Sequence, residues 1–226
     1  MNPPEINILA DVERIGRIKI VPVILEIICR TTGMGFAAVA RVTAEKWVAC
    51  EVRDEIKFGL VPGGELVLDT TICNEIRLTG DAVIIDHVKD DEVYHNHHTP
   101  MMYGFQSYIS VPIVDKSGRF FGTLCAIDPE PAILNNTEIV GMFKTYARLI
   151  SFYLNIEDQI LAGEMKLIED IITVELEELL IAAKEQQQLP PAEIDLHFPT
   201  IIRRSTTTVQ ALVDNLNASY EATKTG

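Results

Sequence analysis

From Thr137 to Gln188 the chain runs without a proline, and only Gly141 and Gly163 interrupt it. Proline removes a backbone donor and clashes with the preceding turn, so a run without it is free to be helical throughout. Ile150, Leu154, Leu161, Met165, Ile168, Ile172 and Leu179 recur at helical and near-heptad spacing, with acidic residues between them. A helix of roughly 50 residues exceeds the ordinary globular range, so the spacing predicts a coiled coil or a helix projecting from a domain. Glu157 and Glu175 fall on or near the stripe and spoil a strict heptad. Nine acidic residues against two Lys between Ile156 and Gln187 make the outer face solvated and self-repelling. Pro190 and Pro191 end the run. A last amphipathic stretch, about 200–220, carries Ile201, Ile202, Val209, Leu212, Val213 and Leu216, and is long enough to fold back into a small bundle.

Upstream the pattern alternates between helix and strand periods. Residues 9–31 are apolar at helical spacing, with Pro22 as a break or kink that allows two shorter helices. "TTGMG" supplies the stop. "FAAVARVT" (36–43) and "KWVACEVR" (46–53) then read as a hairpin, "DTTICNEIRLTG" (69–80) as a capped helix, and "AVIID" (82–86) as a short strand. "SYISVPIV" (107–114) and "RFFGTLCAID" (119–128) are strands joined by the turn "DKSG", after which Asn136 or Thr137 caps the long helix. The order predicts an α+β fold, an antiparallel sheet with helices packed on it. The expected divisions are 1–155 for the domain, 156–188 for the extended helix, and 189–226 for a Pro-Pro linker and the last helix.

Composition narrows the function classes. A chain of 226 residues that is 47% hydrophobic can build a core without disulfide or metal staples. A net charge of −14, with no basic stripe, argues against nucleic acid. Cys29, Cys50, Cys73 and Cys125 are widely spaced without a CxxC pair, and read as small buried apolar residues. No signal peptide is evident, and the longest apolar runs are too short to span a bilayer. The expectation is a soluble cytoplasmic protein with no membrane association.

Four of the five histidines crowd into "HVKDDEVYHNHH", between His87 and His98. Neutral imidazole binds zinc, copper and iron, but His95 and His98 at i, i+3 make only a pair, and His97 points elsewhere. Neither a metal nor haem is expected there. Ser107, Ser110 and Thr123 follow closely, yet no nucleophile-elbow pattern frames them, so no catalytic residue is expected. Tyr94, Met101, Met102, Tyr103 and Phe105 suit an adaptable apolar lining, and Trp47 suits a core.

The run "GDAVIIDHVKDDEVYHNHHTPMMYGFQSYISVPIVDKSGRFFGTLCAID" resembles the second half of a GAF domain, and the likeness extends over about residues 9–155. "SYISVPI" resembles the family's central strand, and "GRFFGTLCAID" the strand bearing its G-x-L signature. In style it is similar to GAF domains that precede a histidine kinase core. The resemblance implies a twisted antiparallel sheet, with the first and last helices on one face and a pocket roofed by residues 87–106 on the other. The implied pocket candidates are Tyr94, His95, His98, Met102, Tyr103, Phe105, Tyr108, Ser110, Thr123 and Cys125. Whether Tyr108 and Ser110 or Ser107 and Ile109 face that pocket stays open. Covalent bilin attachment is not implied, because no Cys lies in the roof segment; the cyclic-nucleotide signature is absent as well.

What the resemblance implies for function is a non-catalytic sensor that binds a small molecule or a signalling partner. It would be a homodimer through the long helix, acting on an output domain or separate protein. The alternatives are a thiol-dependent reductase of the free methionine sulfoxide type, resting on Cys73 and Cys125, and a purely dimerising domain.

Overall fold

The structure is a computed structural model that describes residues 7–115, 117–155, 164–190 and 196–225. Two helices open it, α1 (Ile8–Gly16) and α2 (Ile20–Thr32). The break falls just ahead of Pro22, which sits in the first turn of α2 where no backbone donor is needed. Gly33, with φ 76°, ends α2 in the left-handed conformation that side chains with a Cβ resist. The hairpin follows as β1 (Phe36–Val42) and β2 (Trp47–Asp54), then a two-residue β3 (Glu65–Leu66) and α3 (Ile72–Thr79). Next come β4 (Val83–Ile85), the short α4 (His98–Tyr103), β5 (Ser107–Val114) and β6 (Phe120–Asp128). Helices α5 (Thr137–Asn155), α6 (Glu164–Gln188) and α7 (Phe198–Thr225) complete the described chain. Asn136 caps α5, its side chain accepting from Ile139 N–H at 2.9 Å.

The six strands form one antiparallel sheet in the order β3-β2-β1-β6-β5-β4. Every residue of β1 is buried, as the central strand of a sheet covered on both faces must be. At Gly122 of β6 a Cβ would stand 1.8 Å from the Ala40 carbonyl oxygen, so only glycine permits that approach.

Helices α1, α2 and α5 lie on one face of the sheet, and a continuous apolar core runs through them into α6 and α7. This corrects the expected projecting rod of about 50 residues. Helix α5 ends at Asn155; residues 156–163, with Leu161, lie outside the described residues, as does the Met165 side chain. The stripe that looked free for a second chain is occupied within this one. Ile172, Leu176, Leu179 and Ala183 are buried in the core shared with α2 and α7. Lys184 reaches Glu26 of α2 at 2.9 Å, and hydrogen bonding to that lysine holds the Glu26 carboxyl below its ordinary value. The last helix does fold back as expected: Arg148–Asp214 at 2.6 Å and the Tyr220 hydroxyl donating to the Asn155 carbonyl at 3.0 Å tie α7 to α5.

One ion pair anchors α1 to the sheet. Arg41 is buried on the helix face of β1 and meets Asp11 at 2.6 Å. Its guanidinium also donates to the Val42 and Phe121 carbonyls and lies over the Phe121 ring. Removing one partner of such a pair strands the other charge away from water. We therefore expect Asp11→Ala to cost about 3 kcal/mol, read from urea unfolding, with far-ultraviolet circular dichroism of the folded state unchanged.

Candidate functional site

Alternation along the strands divides the sheet's side chains into two sets. Ala37, Val39, Ile109, Val111, Leu124 and Ala126 join the helices, whereas Phe36, Ala38, Tyr108, Cys125 and Ile127 lie under the roof with Ile72, Val88 and Phe105. Ser110 stands opposite Cys125 across β5–β6, and Thr123 reaches Cys73 of α3. The question left open by the sequence is thus answered: Tyr108, Ser110, Thr123 and Cys125 face the roof. Ser107 instead donates to the Glu130 carbonyl at 2.7 Å.

Between this face and the roof is a cavity of about 40 Å³. Its walls are mostly aromatic and aliphatic, with Phe36, Phe58, Ile72, Tyr103, Phe105 and Ile127 prominent, and Trp47, Cys73, Tyr108 and Cys125 also line it. One water needs about 10–15 Å³, so the space suits a few small atoms and not a drug-sized ligand of several hundred Å³. An open cleft of about 500 Å³ adjoins it, lined by residues 56–60 and 102–105 among others, and the two share Phe58, Leu60, Leu66, Tyr103, Phe105 and Ile127. Phe58 packs against Phe36 at 5.0 Å and Tyr103 at 5.8 Å between ring centroids. The Asp54 carboxylate holds that loop by accepting from the Phe58 and Gly59 N–H groups at 2.9 and 2.8 Å.

The most polar part of the cavity is a cluster around sulfur. The Cys73 sulfur accepts from the Thr123 hydroxyl at 3.3 Å and lies 3.3 Å from the Tyr108 hydroxyl. Hydrogen bonding by the neighbouring Cys125 thiol, then by Thr123 and Tyr108, brings the Cys73 thiol below the ordinary range although burial opposes it. Cys125 moves the opposite way, raised by its interaction with Cys73 and by burial, and its thiol donates to the Ala38 carbonyl at 3.6 Å. Two further polar atoms are buried there without a partner in bonding geometry, the Trp47 indole N–H and the Ser110 hydroxyl. Cys29 and Cys50, by contrast, are pushed up to about 12 by burial in the helix-side core.

Of the residues that the sequence singled out, Tyr103, Phe105, Tyr108 and Cys125 line the cavity, and Ser110 and Thr123 are buried beside them. Met102 borders the outer cleft. The histidines line neither space; they latch the roof. His97 accepts from Thr99 N–H through Nδ1 and turns Nε2 to Glu75 at 2.9 Å, an arrangement satisfied by the neutral ring with its proton on Nε2. His98 bonds the Asp69 carbonyl at 3.2 Å, His95 the Asp91 carbonyl at 2.8 Å, and His87 the Asp90 carboxylate at 2.6 Å. Tyr94 donates to Glu75 at 3.1 Å. Among the described residues no three His, Cys, Asp or Glu side chains converge as a metal would need. From the sequence Trp47 reads only as core, and Cys73 as a buried residue that enters a site only through the reductase alternative. The period-two alternation from Thr123 and Cys125 gives a face, but not which helix covers it.

An antiparallel sheet carrying helices on one face and a roofed cavity on the other is a fold of sensory and regulatory modules. The chain belongs to the GAF domain family, whose sequence model matches residues 16–154. No curated protein matches it. Three solved structures are similar in arrangement. A type II free methionine-R-sulfoxide reductase from Thermoplasma acidophilum is 19% identical, with 64% of this chain and 95% of that one covered and a TM-score of 0.48. The GAF domain of an Acinetobacter phosphoenolpyruvate-protein phosphotransferase is 12% identical, over 66% of this chain and 94% of that one, at 0.46. The chromophore-binding domain of Stigmatella aurantiaca phytochrome P1 is 11% identical, over 72% and 63%, at 0.49. No helix among the described residues is long and apolar enough to cross a membrane.

The Cys73 environment has a consequence for stability. Hydrogen bonding holds the folded-state Cys73 thiol below its ordinary value, so ionisation there favours the fold. That contribution is absent below the folded-state titration, grows as pH rises, and is complete above the unfolded thiol value. The stability of the parent relative to Cys73→Ser is expected to climb across this window in urea unfolding. A pH-independent difference would exclude an ionised Cys73.

Proposed function

We propose that the chain is a non-catalytic sensory module that receives a small molecule beneath the roof and passes the change to its C-terminal helices. The cavity with its polar cluster, enclosed in an otherwise apolar face, carries this reading. A ligand works by preferring one arrangement of the roof over another. Phe58 and Tyr103 line both the cavity and the outer cleft, and their displacement would join the two into a space of organic-ligand size. The loop that bears Phe58 starts beside Glu55, which pairs with Arg30 and Arg53 at 2.6 Å each. Both arginines contact Glu26, the partner of Lys184, so a chain of charges leads from the roof loop to α6. The receiver is an output domain or a separate signalling protein in the cytoplasm. A thiol-dependent reductase is the second reading, since Cys73 and Cys125 both line the cavity. Native mass spectrometry of protein isolated from its own cell is expected to show a small organic adduct that the cavity-filling Ile127→Trp lacks. Adduct-free parent protein would remove the organic-ligand reading.

Dimerisation belongs to the same proposal, through another face of α6 than the sequence indicated. Leu167, Ile171, Val174 and Ile181 are 62, 41, 53 and 58% exposed and follow intervals of four, three and seven. A heptad stripe of this kind is self-complementary about a two-fold axis, so its occupant is the α6 of a second copy. Ile171→Glu with Val174→Glu should convert a dimeric parent to monomer in sedimentation velocity without loss of helicity. A monomeric parent at high concentration would refute this pairing.

A further inference from the structure

On the side of the sheet away from the roof, the β4 ladder stops at Val83 opposite Ser110, while β5 runs on to Val114. Gly80 ends α3 in the left-handed conformation, and the chain from there to Ala82 approaches β4 without pairing with Val111. Helix α5 packs on β5 beside this unpaired stretch, and Asn217 of α7 adds to the wall. Together they enclose a cleft of about 520 Å³, within the range of small-molecule sites. It shares no lining residue with the roof cavity. Its floor is apolar: Val111, Ala147 and Phe152 belong to the helix-side core, and Ala82 packs against it.

Four charged side chains stand around that floor. Two are neutralised within the protein, Arg148 by Asp214 at 2.6 Å and Asp115 by Arg119 at 2.7 Å. The other two, Lys144 of α5 and Asp81 of the loop after α3, are exposed, and neither has an ion pair among the described residues. The carboxamides add acceptors. Asn155 and Asn217 give their Nδ2 groups to the Ser151 and Val213 carbonyls, which leaves their oxygens free to accept. A molecule that complements this cleft has an anionic end, a cationic end that donates hydrogen bonds, and an apolar body between them.

We propose that the cleft binds a small zwitterion, an amino acid in the broad sense. Its carboxylate lies at Lys144, its ammonium at Asp81, and its carbon chain on the apolar floor. Neutrality overall suits a chain of net charge −14, whose field opposes a dianion such as a phosphate ester. The occupant touches the sheet edge, α5 and α7 at once, and so braces the contact that Arg148 and Asp214 make between the two helices.

The test titrates the full-length chain at low salt with 6-aminohexanoate, hexanoate and hexylamine, which share one carbon chain, and follows the amide NMR signals. The zwitterion should bind tightest and should shift residues 80–82, 111–115 and 144–151. An exposed ion pair is worth up to about fivefold in affinity, so Lys144→Met should weaken 6-aminohexanoate by about that factor and leave hexylamine unchanged. Asp81→Asn should weaken 6-aminohexanoate and hexylamine and leave hexanoate unchanged, whereas Lys144→Arg should bind as the parent does. Ile127→Trp, which fills the roof cavity, should also bind as the parent does. Equal affinity for the three compounds, shifts confined to the roof, loss of binding in Ile127→Trp, or no shifts at millimolar ligand overturns the proposal. This site and the sensory reading fail separately, because binding here survives an empty roof and an occupied roof survives the absence of binding here.

Discussion

The backbone ladder between β1 and β6 is the reference against which the other layers are set. It places Ala38 beside Cys125 and Ala40 beside Thr123, with Gly122 opposite Arg41. A slip of one residue would exchange the two faces of the sheet and send the polar cluster into the helix core. The small residues of β1 and the bare Gly122 allow the strands to approach closely, and the buried Arg41–Asp11 pair fixes the first helix to the same strand. Cavity and helix layer are thus two consequences of a single register.

The two faces differ in what fills them. On the helix side the core is almost wholly apolar and extends outward through a second layer of helices, so α6 and α7 are packed parts of the globule. On the roof side the sheet meets short helices, turns and a loop whose polar groups satisfy one another. The histidines belong to that accounting, since each is bonded to a neighbouring carbonyl, carboxylate or N–H. Among the described residues the Ser110 hydroxyl and the Trp47 N–H lie buried on this face near Cys73, and Gln106 Oε1 is buried in the roof. Polarity concentrated at one point of an apolar surface is a feature of sites that recognise or react with something.

Much of the fold was legible because local chemistry and tertiary packing agree. Alternation in 107–114 and 119–128, the turn between them, the glycines after α2 and α3, and Asn136 before α5 each specify one local answer, and the structure contains them nearly residue for residue. The site was legible in part. Tyr103, Phe105, Tyr108, Ser110, Thr123 and Cys125 come from the resemblance to the family, since the strand period by itself supplies only two alternative faces. The histidines misled because a cluster of titratable residues in sequence says nothing about whether their rings turn inward. Cys73 lies 50 positions from its Thr123 partner, a distance no local pattern spans.

By itself, the amino-acid order determined the secondary elements, the antiparallel α+β class and the two-sided character of the central strands, since periodicity and turn chemistry act over a few residues. Only the tertiary structure decided three things: which side of the sheet became the cavity, which sulfurs meet there, and where the apolar stripe of α6 is buried. A stripe at helical spacing demands an apolar partner but does not specify one. Here α2 and α7, tethered in the same chain and already apolar on the facing side, supply it at far higher effective concentration than any second molecule.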